Sequence, residues 1–314
     1  MGKKRRDDGP TGFVIVDKPR GWTSHDVVAK ARGVFKTRKV GHSGTLDPDA
    51  TGVLLLGLGK ATRILRFLDG QPKAYTGDIR FGTETDSLDS TGVVTKTHEM
   101  GPIDIDAART AVAQLTGDIM QVPPMVSAKK VDGKRLHELA REGIEIERDP
   151  VPISVYRYEL EPTDDPMVLR ATVECSAGTY IRVLAADLGA LLGGGAHLHG
   201  LRRTAIGSFT DVDAQPLEQA SVRPAAEFVR DLDVIEVDDD VAFDVRFGRV
   251  FESARLGSVG EGPYPLIDAN GELLAIYEKH RGSTVKPTVV LAEPPPKPES
   301  STPESPQSPE SATP

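Results

Sequence analysis

The stretch Gly41-His-Ser-Gly-Thr-Leu-Asp-Pro-Asp-Ala-Thr-Gly52 is the most informative part of this chain. Its three glycines permit positive φ angles and the close approach of a ligand to the backbone. Pro48 fixes the chain directly after Asp47 and favours an extended conformation at that aspartate. A carboxylate held on such a turn can act as a nucleophile or general base. Taken alone, the pattern is more often an ordinary Asx turn.

A phosphate-binding loop is excluded for this stretch, because Lys60 is not preceded by the G-x-x-x-x-G spacing that such a loop requires. The stretch 41–52 itself is expected to be a glycine-rich loop, and the segments around it predict strands and helices in mixed order. Strands are predicted at about 12–16, 53–57, 73–81, 151–161, 167–175 and 196–206, and helices after a cap at Thr23 or Ser24 and at about 60–68, 105–116 and 179–192. The order favours an α+β domain over a doubly wound sheet.

From about residue 233 the pattern changes to short β-like runs separated by turns that contain glycine. These runs lie at 241–246, 264–267, 272–277 and 287–291 and predict a small all-β domain. Residues 294–314 are rich in Pro, Ser and Glu and contain no aromatic or branched aliphatic side chain, so we expect them to be disordered. Residues 1–11 are expected to form a flexible basic arm.

The charge distribution indicates a polyanionic partner that binds one face. The chain of 314 residues has a net charge of −9, yet residues 1–70 hold 14 Lys and Arg against 7 Asp and Glu.

One cysteine excludes an intrachain disulfide. There is no apolar signal core at the amino terminus and no apolar run of membrane length. We therefore expect a cytoplasmic protein that does not enter the membrane.

The segment around Asp47 resembles the catalytic motif of the TruB family of pseudouridine synthases, G-H-x-G-T-L-D-P-x-A-x-G. The other signatures of the family occur in the same order over about residues 12–210. They are Val16-Asp-Lys-Pro-Arg-Gly-Trp-Thr-Ser-His-Asp-Val-Val28, Lys60-Ala-Thr-Arg63, Lys73-Ala-Tyr75, Phe81-Gly-Thr-Glu-Thr-Asp-Ser-Leu-Asp89, Pro123-Pro-Met-Val-Ser-Ala128, Gly133-Lys-Arg-Leu136, Ala140-Arg-Glu-Gly143, Cys175-Ser-Ala-Gly-Thr-Tyr-Ile-Arg182 and Leu201-Arg-Arg-Thr204.

The resemblance implies a pseudouridine synthase fold, α+β with a mixed, largely antiparallel sheet and flanking helices, over residues 12–230. It assigns 121–150 to an RNA-gripping insertion and 233–292 to a small C-terminal β domain that is PUA-like. The implied activity is isomerisation of uridine to pseudouridine at position 55 in the tRNA T-loop, on a flipped-out base. The resemblance implies no cofactor and no metal. The implied partner is the T-arm stem-loop of tRNA, and a monomer is expected.

The family pattern also assigns roles to individual residues. Asp47 matches the required aspartate, Arg182 the arginine that pairs with it, and Tyr75 the tyrosine that stacks on the target base and helps to remove its C5 proton. The expected substrate-binding residues are His42, Lys18, Tyr180, Leu201, Gly44 and Thr45. The expected contacts to the RNA backbone are Arg20, Lys60, Arg63, Lys129, Lys130, Lys134, Arg135, Arg202 and Arg203, with Arg38 and Lys39 as further basic groups.

Two other functions stay open at this point. One is a non-catalytic tRNA-folding or RNA-binding role on the same scaffold, against which the intact Asp47, Tyr75 and Arg182 speak. The other is a related synthase that acts on ribosomal or small nuclear RNA within a protein complex. Cys175 is expected to be a core thiol, and the motif His197-Leu-His199 is expected to be structural, because no acidic or Cys partner accompanies it at ligand spacing.

Overall fold

The structure is a computed structural model that describes residues 9–125, 130–131, 134–135 and 146–294. The predicted arm over 1–11 and tail over 294–314 lie almost wholly outside these residues, as does much of the predicted insertion over 121–150. The chain separates into two compact units, Met1–Val234 and Ile235–Pro314.

The first unit is built on a nine-stranded sheet, counted over the described residues. The strands of this unit are β1 Gly12–Lys18, β2 Val40–Ser43, β3 Thr51–Leu58, β4 Lys73–Phe81, β5 Thr83–Thr85, β6 Val94–Thr97, β7 Gly117–Gln121, β8 Lys130–Val131, β9 Lys134–Arg135, β10 Val151–Pro162, β11 Val168–Cys175, β12 Ala196–Ile206 and β13 Phe209–Thr210. The large sheet runs in the order β1-β3-β12-β4-β11-β10-β7, with β2 paired to β3 and β13 to β12. Its β12–β3 contact is parallel and its other pairings are antiparallel. The prediction of a mixed, largely antiparallel sheet is confirmed.

Three α-helices of this unit are described, α1 Ser24–Val34, α2 Ile105–Val112 and α3 Ile181–Leu191. Helix α1 begins at Thr23, whose hydroxyl accepts from the Asp26 backbone while the Asp26 carboxylate accepts from the Thr23 backbone. Helix α2 is capped by Asp104, whose carboxylate accepts from the backbone amides of Asp106 and Ala107. These caps satisfy amide groups that have no partner within the helix.

The core lies on both faces of the sheet. One buried cluster joins the sheet to α2 and α3, and includes Tyr75, Tyr158 and Leu184. A second joins β1 and β3 to α1 through Val14, Leu56 and other aliphatic side chains. Because β3 is covered on both faces, Val53–Leu56 reads as an unbroken apolar run. The stretch around Asp47 connects the two clusters. Leu46 and Ala50 belong to the first cluster, and Leu54 and Leu56 belong to the second.

The second unit contains a five-stranded sheet in the order β14-β16-β17-β18-β15. Its strands are β14 Ile235–Glu236, β15 Phe251–Glu252, β16 Tyr264–Ile267, β17 Leu273–Lys279 and β18 Thr284–Val290, and its described helices are α4 Asp239–Arg246 and α5 Ser253–Leu256. The unit is therefore not all-β. The PUA-like assignment of this part of the chain stays a prediction.

Three sequence predictions are wrong in detail. The run 241–246, predicted as a strand, lies in α4, because the Asp238 carboxylate caps the helix at the Val241 amide. The predicted helix at 60–68 is a pair of 3₁₀ turns, Gly59–Arg63 and Leu65–Phe67. The glycine-rich stretch 41–52 is not all loop, since β2 and β3 pair across it and leave residues 44–50 as the connection.

Candidate active site

Asp47 lies on the tight connection between β2 and β3, which we call the Asp47 loop (residues 44–50). The hairpin pairs Ser43 with Leu55, so both ends of the loop are fixed by the sheet. Within the loop, Leu46 and Ala50 are buried in the core. The side chain of Asp47 stays 45% exposed. A reactive group that is anchored on both sides and open to solvent suits a nucleophile or general base.

Buried polar groups of the amino-terminal motif hold the Asp47 loop. The Lys18 ammonium donates to the carbonyl oxygens of Trp22 at 2.6 Å, Pro19 at 3.1 Å and Pro48 at 3.2 Å. The Ser24 hydroxyl accepts from the amide of Leu46 at 2.9 Å. Burial lowers the pKa of Lys18 to about 8, and the nearby Asp47 carboxylate opposes that shift. Lys18 is fully buried, so this geometry supports a positioning role and not the predicted contact with substrate.

Arg182 connects Asp47 to a second carboxylate. It lies in the first turn of α3, and its side chain is 6% exposed. Nε of Arg182 is 3.1 Å from Oδ2 of Asp47 and 3.7 Å from Oδ2 of Asp89, and Nη1 donates to the Ser87 carbonyl at 2.7 Å. One buried guanidinium therefore contacts both carboxylates and holds the Asp47 side chain in place.

The charge state of Asp47 reflects opposing effects. Burial raises the pKa of this carboxyl, the Arg182 guanidinium lowers it, the Asp89 carboxylate raises it and the Lys18 ammonium lowers it. The net direction is upward. The Arg182 guanidinium is the strongest of the effects that favour the charged form of Asp47.

Asp89 was not singled out by the sequence analysis, although it ends a quoted motif. Its Oδ1 accepts from the hydroxyls of Ser87 at 2.7 Å and Thr91 at 2.6 Å and from the Thr91 amide at 2.9 Å. These bonds turn Oδ2 towards Arg182. Gln121 was missed as well. Its buried amide accepts from the Tyr180 backbone N–H at 2.8 Å and donates to the Tyr180 carbonyl at 3.1 Å, which fixes the start of α3 just before Arg182.

Tyr75 and Arg203 form the floor beneath the Asp47 loop. Tyr75, on β4, is 7% exposed and lies opposite Arg203, its register partner on β12. Lys73, two residues before Tyr75, donates to the carbonyls of Asp69 and Gln71, each at 3.2 Å. Burial, with the Arg203 cation beside it, lowers the pKa of Lys73 to about 8.

The other predicted substrate contacts lie on β2, in the Asp47 loop, on β12 and at the start of α3. His42 is half-buried, its ring meets that of His25 edge-on with centroids 5.4 Å apart, and burial lowers its pKa. Gly44 has a φ of 80° and Thr45 is exposed, both in the Asp47 loop. Leu201 packs against the edge of the main core cluster. Tyr180 precedes the first residue of α3.

The predicted contacts to the RNA backbone fall into distinct groups. Arg203 is 1% exposed and is not a surface cation, so the structure does not support its predicted role. Arg202 pairs with Asp17 at 2.9 Å and with Asp211 at 3.3 Å, and Arg20 lies 3.4 Å from Asp49. Lys60 is half-buried and Arg63 is exposed. Lys129 lies outside the described residues, and the side chains of Lys130, Lys134 and Arg135 do too.

Cys175 is buried, and burial raises the pKa of its thiol to about 11. His197 is buried with Nδ1 3.0 Å from the Thr83 carbonyl. Over the described part of the chain, no group of three or more His, Cys, Asp or Glu side chains is arranged to hold a metal ion. Within the same residues, no helix is long and apolar enough to cross a membrane.

Comparisons with known proteins agree on one family. Residues 32–181 match the profile described as TruB family pseudouridylate synthase (N terminal domain), and residues 182–232 match the tRNA pseudouridylate synthase B C-terminal domain. The chain is 42% identical over 297 residues to tRNA pseudouridine synthase B of Arthrobacter sp. (strain FB24), covering 90% of this chain and 97% of the relative. It is 43% identical over 296 residues to the protein of that name from Corynebacterium glutamicum (strain R), covering 90% and 96%.

Among solved structures, the fold resembles a chain from the crystal structure of a Cbf5-Nop10-Gar1 complex. The TM-score is 0.70 at 24% sequence identity, over 90% of this chain and 85% of that chain. At this identity the likeness concerns the fold alone.

Proposed function

This chain belongs to the TruB family of pseudouridine synthases, and from that premise we propose that it isomerises uridine to pseudouridine in the T-loop of tRNA, at position 55. The observation that carries the proposal is the Asp47 carboxylate, half exposed on an anchored loop and 3.1 Å from the buried guanidinium of Arg182. The relatives named tRNA pseudouridine synthase B, matched over nearly their whole length, support tRNA as the substrate.

The reaction breaks the bond between N1 of uracil and C1′ of ribose and forms a bond between C5 and C1′. The proton on C5 is lost to solvent and N1 gains a proton, so the change is an isomerisation without oxidant or reductant. Asp47 acts as the ionised group that starts it, by attack on the base, by attack on the sugar, or by elimination through a glycal. Each of these routes requires the charged carboxylate, which Arg182 favours.

Tyr75 is proposed to stack on the extruded uracil and to help in removal of the C5 proton. Its ring lies beneath the Asp47 loop, opposite Arg203 on the neighbouring strand. A uridine inside a folded T-loop has to leave its stack before it reaches this floor, at a cost of a few kcal/mol that is offset by stacking and hydrogen bonds in the pocket. His42 and Leu201 are proposed to contact the extruded nucleotide.

The RNA outside the pocket is proposed to be held through shape and phosphate contacts. Exposed cations on the same unit suit this role, above all Arg20, whose side chain is 65% exposed beside the Asp47 loop. Arg63 is a further exposed cation of this unit. The insertion over 121–150 is proposed to grip the T-arm. A monomer acting in the cytoplasm on the T-arm stem-loop completes the proposal.

The test is a T-arm stem-loop RNA that carries tritium at C5 of its uridines, incubated with the purified protein while tritium released to water is followed. A second RNA has cytidine at the target position and is otherwise identical. Release that is lost with the cytidine RNA is the expected result. Tight binding of the uridine RNA without release would contradict the proposal and favour the non-catalytic RNA-binding alternative.

A further inference from the structure

Gln121 is a buried polar residue at one end of the insertion predicted over residues 121–150. It is the last residue of β7, and its register partner is Val151, the first residue of β10 and the first residue after that insertion. The two ends of the predicted insertion therefore meet at this pair in the sheet. Gln121 is only 2% exposed. Because a buried amide group needs hydrogen-bond partners, the partners of this side chain indicate what it does.

Both polar groups of the Gln121 side chain bind the backbone of one residue, Tyr180. The side-chain oxygen accepts from the Tyr180 N–H at 2.8 Å, and the side-chain nitrogen donates to the Tyr180 carbonyl at 3.1 Å. An amide supplies a donor and an acceptor side by side, whereas an ionised carboxylate of the same length has no donor. The residue type at position 121 therefore matches the backbone of Tyr180.

Helix α3 begins differently from helices α1, α2 and α4. Those three are capped by the side chains of their own first residues, Thr23, Asp104 and Asp238. Within the described part of the chain, the start of α3 at Tyr180 has no side-chain cap. Gln121, from a distant part of the sequence, supplies the side-chain hydrogen bonds at this helix start instead.

The position of Arg182 depends on the start of α3. Arg182 is the second residue of the helix, so its backbone moves with the first turn. Helix ends fray more readily than the middle of a helix. The Arg182 guanidinium lies 3.1 Å from Asp47 and donates to the Ser87 carbonyl at 2.7 Å. Displacement of the first turn weakens both contacts, so a group that holds Tyr180 also holds Arg182.

The short segment 176–180, which connects β11 to α3, is held at both of its ends. At its first residue, the Ser176 N–H donates to the Ser154 carbonyl at 2.8 Å, and the Ser176 hydroxyl accepts from the Ser154 N–H at 2.9 Å. At its last residue, Gln121 holds Tyr180. Ser154 lies on β10 and Gln121 on the neighbouring strand β7. Removal of the Gln121 amide leaves the Ser176 contacts in place and releases the end nearer to Arg182.

We infer that Gln121 is a positioning residue for the reaction, which connects the ends of the predicted insertion to the start of α3 and so keeps the Arg182 guanidinium within reach of the Asp47 carboxylate. The inference rests on the proposed roles of Asp47 and Arg182. Gln121 acts through the backbone of Tyr180 and not on the reacting atoms.

The test uses Gln121→Met, which is similar in size and lacks the amide donor and acceptor. Single-turnover tritium release from T-arm RNA is measured over a series of pH values and RNA concentrations. We expect release to slow about tenfold, because Asp47 and Arg182 are held less well. The RNA concentration for half-saturation stays nearly unchanged. Since Arg182 favours the charged form of Asp47, the acid limb of the rate is expected to move about half a unit to higher pH.

Two variants serve as controls. Gln114→Met makes the same chemical change at an exposed position and is expected to leave the rate and the acid limb unchanged. Leu188→Val alters a buried residue six positions after Arg182 in the same helix, and it is expected to lower the melting temperature without moving the acid limb. An equal displacement of the limb in Leu188→Val would overturn the inference. An unmoved limb in folded Gln121→Met, or a loss in RNA half-saturation alone, would overturn it as well.

A second readout is the Nε–H resonance of Arg182 in ¹H–¹⁵N NMR of the RNA-free protein, assigned by its absence from Arg182→Lys. This N–H faces the Asp47 carboxylate, so its exchange with water is expected to be faster in Gln121→Met and unchanged in Gln114→Met. If Gln121→Met does not fold, Gln121→Asn, whose amide is on a shorter side chain, is measured in its place with the same expected direction. Unchanged exchange in the folded variant contradicts the inference. Failure of the native protein to release tritium, by contrast, contradicts the proposed function itself.

Discussion

The replacement Arg182→Met tests whether this arginine keeps Asp47 ionised. The guanidinium is nearly buried, 3.1 Å from the Asp47 carboxylate, and methionine keeps much of its volume without the charge. Burial and Asp89 both raise the pKa of Asp47, and Arg182 is the largest effect in the opposite direction. Removing it therefore moves the pKa of Asp47 further up.

The size of this shift follows from the geometry. At the 3.1 Å separation of Nε and Oδ2, the attraction is about 1.3 kcal/mol at the dielectric constant of water and about 5 kcal/mol at an effective value near 20. Because the Asp47 side chain is 45% exposed, solvent screening places the contribution in the lower part of that range, about 1.4–2.8 kcal/mol, or about one to two pKa units.

The assay is single-turnover tritium release from T-arm RNA at a series of pH values. A carboxylate that must be ionised makes the rate fall on the acid side, at a pH set by its pKa. In Arg182→Met, we expect that acid limb to move about one to two units to higher pH, with a lower plateau because Asp47 is also less well oriented. Arg182→Lys, which keeps a cation, is the control and shows a smaller displacement.

An acid limb that stays at its native pH in a folded Arg182→Met protein would refute this reasoning. It would show that Arg182 orients Asp47 without setting its charge. Thermal unfolding of each variant separates this result from a general loss of structure.

Three further predictions follow from the same geometry. Asp89→Asn removes a charge that raises the pKa of Asp47, so the acid limb of tritium release is expected to move to lower pH, and movement to higher pH would contradict this. Lys18→Met leaves three carbonyls without their ammonium donor, and urea unfolding is expected to show a loss of about 2 kcal/mol. An unchanged urea midpoint in Lys18→Met would contradict this stabilising role of the ammonium. Gly52→Ala places a methyl group 2.2 Å from a backbone oxygen of the neighbouring strand, and a loss of about 3 kcal/mol or more is expected. Gly70→Ala, with open space around it, is the control and should unfold almost as the native protein does.

The long elements of the sheet could be predicted from the sequence. Strands β4 and β12 have the predicted bounds, because each combines a strand-like pattern with clear turn residues at its ends. The run 241–246 is too short for the spacing of its apolar residues to distinguish a helix from a strand. Val241, Ala242 and Val245 are buried at helical spacing, and the capping aspartate before them was the missed signal.

The candidate site could be predicted in part. The family motifs indicated Asp47 and Arg182 as a pair, and the structure has them in contact. The approach of Asp89 to Arg182 depends on tertiary structure across 93 positions of the chain, so no local pattern shows it. The sequence contains a signal for the burial of one of the two arginines at 202 and 203. Two adjacent arginines in a strand point to opposite faces, so both could not lie on the same RNA-binding surface.

The most direct test of the central claim compares Asp47→Asn with Asp49→Asn in tritium release from T-arm RNA. Both changes remove one negative charge from the same loop, and only Asp47 contacts Arg182, while Asp49 pairs with the exposed Arg20. If Asp47 is the group that starts the reaction, Asp47→Asn binds the RNA but releases no tritium, and Asp49→Asn retains release. Release by Asp47→Asn at the native rate would contradict the assignment of Asp47.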